Sequence, residues 1–281
     1  MYEGYFGLRE RAFRKTPDPR YLFLSEAHEE ALERLLFAVE EMEPALLTGE
    51  VGSGKTLLTR ALVDRVGERF EVGMILNPRL TPRQLLRATA VELGVAEPRH
   101  QASGLLDQIH ERLLDLDEQG RAALLIVDEA HLLPGRDAFE EIRMLTNFQL
   151  DDRNLIAIVL AGQPELRERL RRPAYRALTQ RLGASFHLSP LSLAEAEAYV
   201  AHRLRVAGAR NRLFTPQAVA VLHRLSGGVP RLLNHFATQA LIEAMGRGDR
   251  MVDAEAALAT GDGDLFEEGA AEGPQPVAAH Q

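Results

Sequence analysis

The chain has 281 residues, of which 46% are hydrophobic and 26% charged, enough for one large core or for a medium domain plus a small one. Cysteine is absent, which excludes disulfides, a thiol nucleophile and Cys-ligated zinc or iron–sulfur sites, and no apolar run approaches ~18 residues, so no membrane span is expected. Most of the net charge of −8 is terminal: beyond Arg250, seven acids (Asp253, Glu255, Asp262, Asp264, Glu267, Glu268, Glu272) meet no lysine or arginine, and the nearly neutral body gives no global electrostatic footprint for nucleic acid.

Residues 1–24 are rich in aromatics, proline and arginine (Tyr5, Phe6, Phe13, Pro17, Pro19, Tyr21, Phe23). They carry too much apolar surface to stay solvated, so they read as an arm packed on the core that follows. Tyr21 and Phe23 are the expected cover for an adenine ring. Ser25 opens a helix, with Leu32, Leu35, Leu36 and Val39 at helical spacing. Ala45–Thr48 is a short strand, followed by a Gly-rich turn and a helix from about Lys55 to Val66. Phe70–Leu76 is a second strand. Thr81-Pro82-Arg83-Gln84 starts a helix, with a capping Thr, Pro at the first helical position and Gln three residues on. Ala122–Val127 and Leu155–Ala161 are continuous apolar runs, as in strands buried on both faces of a parallel sheet. Phe186–Leu188 is a fifth strand. Strands alternating with helices predict an α/β sandwich with a parallel core over 25–190.

After Pro190 no strand is predicted. Ser192-Leu193-Ala194-Glu195 is a capping box, Thr215-Pro216 starts another helix, and a third runs from about Pro230 to Ala244. Residues 191–260 therefore read as a small all-helical domain. Residues 261–281, made of Gly, Pro, Ala and acid, read as a disordered acidic tail.

Gly49-Glu50-Val51-Gly52-Ser53-Gly54-Lys55-Thr56 matches the Walker A phosphate loop, G-x-x-x-x-G-K-[ST]. Its glycines let successive backbone N–H groups face a phosphate, and the helix that begins near Lys55 and Leu57 aims its positive dipole end there. Lys55 is placed for the β and γ phosphates, and the Thr56 hydroxyl for Mg²⁺. Only two lysines stand against 31 arginines, and Lys55 is one of them: a compact ammonium is kept where a point charge on phosphate is needed.

Leu124-Leu125-Ile126-Val127-Asp128-Glu129 matches Walker B, an apolar strand delivering two acids at its C-terminal end. Asp128 is the expected Mg²⁺ ligand and Glu129 the group that orients and polarises water. Asp128-Glu129-Ala130-His131 also spells the helicase motif, but the second ATPase-like lobe that a helicase needs is missing. His131 therefore reads as a helix-start or packing residue, and no His cluster suggests a protein-ligated metal.

Gln163 follows Leu155–Ala161. If that strand lies between the two Walker strands, its amide faces the γ phosphate. Arginine is dense from Arg167 to Arg181. Arg181, directly before the fifth strand, is placed to reach a neighbouring copy's ATP, with Arg176 as the alternative. Arg231, in Gly228-Val229-Pro230-Arg231, begins the last long helix, where the dipole disfavours an arginine without an anionic partner. Asn77 ends the second strand and could hold Glu129 away from water.

Together these residues resemble an AAA+ ATPase: Walker A, Walker B, a Gly-Gln-Pro-Glu-Leu strand end, Gln-Arg before the fifth strand and Gly-x-Pro-Arg in the helical domain. Tyr5-Phe6-Gly7-Leu8, Phe13 and Thr16-Pro17-Asp18-Pro19-Arg20 resemble the ExeA/GspA-like secretion ATPases. The resemblance implies a three-layer P-loop NTPase sandwich with a parallel 5-1-4-3-2 sheet, a small all-α lid, ATP and Mg²⁺ as ligands, and homo-oligomers. It also implies a role in type II secretion or type IV pilus assembly with a protein partner, in the cytoplasm and at the inner membrane only through that partner. ExeA itself continues into a membrane span and a peptidoglycan-binding domain that this sequence lacks. The rival resemblance is to TniB- and MuB-like transposition ATPases, which bind DNA.

Overall fold

The computed structural model describes residues 1–14 and 18–261; Thr16 and Pro17 of the N-terminal motif and the acidic tail beyond Gly261 lie outside the described residues. The described residues divide into two compact units, Glu26–Ser189 and a second made of those from Met1 to Ser25 with those from Pro190 to Gly261.

The first unit is built on five strands: β1 (Ala45–Gly49), β2 (Phe70–Ile75), β3 (Ala122–Val127), β4 (Ile156–Gly162) and β5 (Ala184–Leu188). Every pairing is parallel, and the order is β2-β3-β4-β1-β5, the 5-1-4-3-2 arrangement that the resemblance implied. β3 and β4 are Val/Ile/Leu/Ala-rich because helices cover both of their faces. One face places Ala123, Leu125, Val127, Ile156, Ile158 and Leu160 in a core shared with helices Pro82–Glu92, Ala102–Glu118 and Asp137–Leu145. On the sheet, helices Glu26–Glu40 and Lys55–Val66 pack on each other and against β1 and β4. Thr81 and Gln84 form the expected capping box.

In the second unit, helices Leu193–Val206, Pro216–Ser226, Pro230–Arg247 and Ala254–Leu258 enclose one apolar core. Ser192 caps the first with Glu195 in a capping box, and Thr215 caps the second. The N-terminal arm was expected on the nucleotide-binding core. Instead its Tyr2, Phe6, Leu8, Phe13 and Tyr21 are buried in this helical core. Phe13 meets Phe214 edge-on, and Phe23 meets Tyr199 the same way. Tyr21 and Phe23 are thus packing groups of the helical unit, a use that their apolar area explains as well as an adenine does.

The arm is tied down by a buried cation. The Arg203 side chain donates from Nε to the Ala12 carbonyl (2.7 Å), from Nη1 to the Tyr199 hydroxyl (2.8 Å) and from Nη2 to the Arg14 carbonyl (3.4 Å). Its guanidinium lies 4.8 Å from the Tyr21 ring centre. Tyr199 passes the chain on to Asn234 Oδ1 (2.9 Å). No carboxylate pairs with Arg203 among the described residues, so carbonyl dipoles and ring faces stabilise its charge. Arg203→Ala should therefore destabilise the helical unit by about 3 kcal/mol or more, because it removes several bonds to a charged donor at once. Arg203→Met, which keeps the volume and removes the buried charge, should lose less. Chemical denaturation of both variants, with release of the N-terminal arm followed by limited proteolysis, checks the order.

Candidate functional site

β1 ends at Gly49 and the chain turns at once into the helix Lys55–Val66. The turn needs left-handed backbone twice, at Gly52 (φ 84°) and Gly54 (φ 106°), which L-residues with side chains avoid. Gly54 is also hemmed in: a Cβ there would lie 2.8 Å from Nε2 of His28, which rises from the helix Glu26–Glu40. His28 is buried, and its Nε2 is 2.9 Å from the Ser53 carbonyl oxygen. Val51 crests the loop, half exposed, and Leu57 is half-buried in the first helical turn.

The Lys55 side chain is only 6% exposed, and its ammonium donates to the Gly49 carbonyl (2.7 Å) and the Glu50 carbonyl (2.9 Å). The ammonium is thus held against the loop's own backbone. Ser53 Oγ is buried without a hydrogen-bond partner. The loop therefore offers a cradle of glycine backbone, a cation and a helix N-terminus, which fits a phosphate chain.

The second half of the site comes from β3. Asp128 is 4% exposed and accepts at Oδ2 from the Thr56 hydroxyl (3.0 Å). Its other oxygen, Oδ1, accepts the Glu129 backbone N–H (2.8 Å). Glu129 takes φ 50°, and Met42 is the only other non-glycine residue with positive φ among the described residues. Such a conformation costs of order 1–3 kcal/mol. A hydroxyl and a carboxylate in contact form an oxygen donor set suited to Mg²⁺. Among the described residues no group of three His, Asp or Glu could hold a metal by itself, so such an ion would depend on phosphate oxygens as well.

β4 lies between β1 and β3, so the topological condition for Gln163 is met, and Gln163 occupies the N-cap position of the helix Pro164–Leu170 without a side-chain capping bond. Between it and Glu129 stands His131, which from sequence alone reads as a helix-start or packing residue. His131 Nδ1 is 3.4 Å from the Gln163 backbone nitrogen and 3.4 Å from Glu129 Oε2. That nitrogen can accept from the amide or donate to the carboxylate, but not both. The spelling Asp-Glu-Ala-His was the available signal; its ring position could not be read from it. Asn77 is exposed just past β2 and makes no bond to Glu129, whose facing partner is His131.

The remaining arginines divide. Arg181 Nη1 donates to the Thr146 carbonyl (2.9 Å) and hydroxyl (3.0 Å), so the expected inter-subunit finger is anchored within its own unit. The Arg176 side chain is exposed and makes no hydrogen bond or ion pair among the described residues, while its carbonyl accepts from the Gln180 N–H and the Thr179 hydroxyl. Arg231 is exposed in the first turn of Pro230–Arg247 and belongs to the helical unit. No helix of the described residues is long and apolar enough to cross a membrane.

Residues 40–170 match the family model described as an AAA domain. The chain is 45% identical over 255 residues to General secretion pathway protein A of Aeromonas hydrophila, a match that covers 90% of this chain and 46% of that protein. The chain thus spans about half the length of that relative. Among solved structures it resembles the Aeropyrum pernix ORC2 protein with ADPNP and ADP (TM-score 0.65, 18% identity, 90% of this chain and 71% of that one). It also resembles the Aeropyrum pernix ORC1 protein in complex with DNA (TM-score 0.63, 19% identity, 90% and 69%). A third likeness is to the Thermotoga maritima RuvB Holliday junction branch migration motor (TM-score 0.56, 19% identity, 84% and 68%). At such identities these three speak to the fold alone.

Proposed function

We propose that this chain, which matches an AAA domain model over residues 40–170 and is similar to General secretion pathway protein A, binds ATP with Mg²⁺ and hydrolyses it as an oligomeric motor or switch in secretion or pilus assembly. The observation that carries the reading is the Thr56–Asp128 bond, which joins the phosphate loop to the acidic end of β3.

The roles follow from chemistry. The backbone from Gly49 through Gly54, with Glu50, Val51, Ser53 and Leu57 shaping it, holds the phosphates, and Lys55 moves from loop carbonyls to phosphate oxygens. Thr56 and Asp128 would hold Mg²⁺, which neutralises phosphate charge when bound. Glu129 orients a water and draws on its proton as the water oxygen bonds the γ phosphorus; the bridging bond breaks, leaving ADP and phosphate. Gln163 reports the γ phosphate, and Arg231 couples the helical unit to nucleotide state. A neighbouring copy supplies an arginine. Arg176 suits this better than Arg181, whose guanidinium is already engaged by Thr146. The working partner is a secretion or pilus component, reached from the cytoplasm at the inner membrane.

Saturating MgATP should raise the melting temperature by several degrees, since ligand at 100 times Kd adds about 2.7 kcal/mol. Calorimetric titration and a phosphate-release assay complete the test; no heat and no shift would remove the reading.

One observation favours a second reading, a DNA-binding regulator of transposition. Arg167, Arg171, Arg172 and Arg176 are exposed along one segment, and none is paired among the described residues. A gel shift whose affinity falls steeply with salt would support that reading, because phosphate contacts release counterions.

A further inference from the structure

The phosphate loop is held from outside its own motif. His28 lies in the helix before β1, 25 residues from Ser53 in sequence, yet its imidazole is buried against the loop. Nε2 stands 2.9 Å from the Ser53 carbonyl oxygen, a full-strength hydrogen bond in which the ring N–H donates. The ring also fills the space that a Cβ on Gly54 would need, so histidine and glycine are fitted to each other. Ser53 cannot fix this peptide with its own side chain, since its hydroxyl has no hydrogen-bond partner.

The consequence follows from the planar trans peptide. The Ser53 C=O and the Gly54 N–H belong to one peptide unit and point in opposite directions. Pinning the carbonyl toward the ring aims the Gly54 N–H the other way, and no group among the described residues accepts from it. Elsewhere the loop is held by the Ser53 N–H donating to the Glu50 carbonyl (3.1 Å) and by the Lys55 ammonium. With the carbonyl free, a Gly-Ser-Gly run can flip that peptide at little steric cost, presenting an oxygen where a donor is needed.

We infer that His28 is a positioning residue for nucleotide phosphate: by holding the Ser53 carbonyl it pre-sets the Gly54 amide as a donor, and so sets affinity for the diphosphate portion rather than the chemistry. The inference rests on the nucleotide-binding reading above. ADP and ATP share that portion, so both are affected alike.

The test is titration of the full chain with ADP and with MgATP, beside steady-state turnover. His28→Ala should weaken both nucleotides by about tenfold, the worth of one hydrogen bond, with kcat at saturation within about twofold. His28→Gln places an amide N–H near the position of Nε2 and should recover most of the affinity; His28→Asn is too short and should not. Unfolding of each ligand-free variant separates loop geometry from stability, and if the alanine variant does not fold, the Gln and Asn pair decides. Unchanged affinity in His28→Ala, or equal loss in Gln and Asn, overturns the inference while leaving nucleotide binding intact. A wild-type chain that binds neither nucleotide overturns both.

Discussion

Glu129→Gln should bind MgATP about as well as the wild type and hydrolyse it roughly 10²–10⁴-fold more slowly, the range that a positioned acid–base group contributes. The isosteric amide keeps the backbone bond from Glu129 N–H to Asp128 Oδ1, so the Thr56–Asp128 pair stays where it is and binding is spared. What disappears is the negative charge proposed to orient and polarise water. The positive φ of Glu129 sharpens the expectation. A side chain held in a costly conformation is there for its position, and glutamine can adopt the same conformation at the same cost. Single-turnover phosphate release measures the loss, with fluorescent-nucleotide titration as the binding control. Turnover at the wild-type level would remove Glu129 from the mechanism.

Much of this site is legible in sequence, because its elements are local. The Walker loop is a contiguous string, Asp128 and Glu129 end an apolar run, and the Thr81/Gln84 and Ser192/Glu195 boxes announce helices that form where expected. Gln163 needed one long-range condition, that β4 sit between β1 and β3, and the sheet meets it. What the sequence hides are groups whose meaning depends on a partner far away. The aromatics of the arm had to be buried, but nothing in their spacing says that Arg203 would hold Ala12 and Arg14 to the helical unit. Arg181 sits where a finger would, yet Thr146 claims its guanidinium. His28 reads as one polar residue on an amphipathic helix until the Ser53 carbonyl is found against it. The helix Ala102–Glu118 has no side-chain bond capping its first turn, so no local signal in the sequence marks its start.

Lys55→Ala should lose nucleotide binding almost entirely. A hydrogen bond to a charged group is worth about 1.5–3 kcal/mol, and an ammonium shared between two phosphates makes at least two, so Kd should rise by roughly 10²–10⁴-fold. The fold should tolerate the change. Without nucleotide the ammonium bonds the Gly49 and Glu50 carbonyls, and removing a 94%-buried cation lifts a desolvation cost that offsets the loss of those bonds. The ligand-free melting temperature should thus stay within a few degrees of wild type while the MgATP-induced shift disappears. Lys55→Arg should fare little better. A planar guanidinium is bulkier than the ammonium it replaces and cannot offer a compact point charge inside a loop that closes on two carbonyls. The chain's own usage bears on this: with 31 arginines and two lysines, it retains lysine at position 55. Near-wild-type affinity in Lys55→Arg would mean that charge alone suffices there, and the steric half of this account would fall.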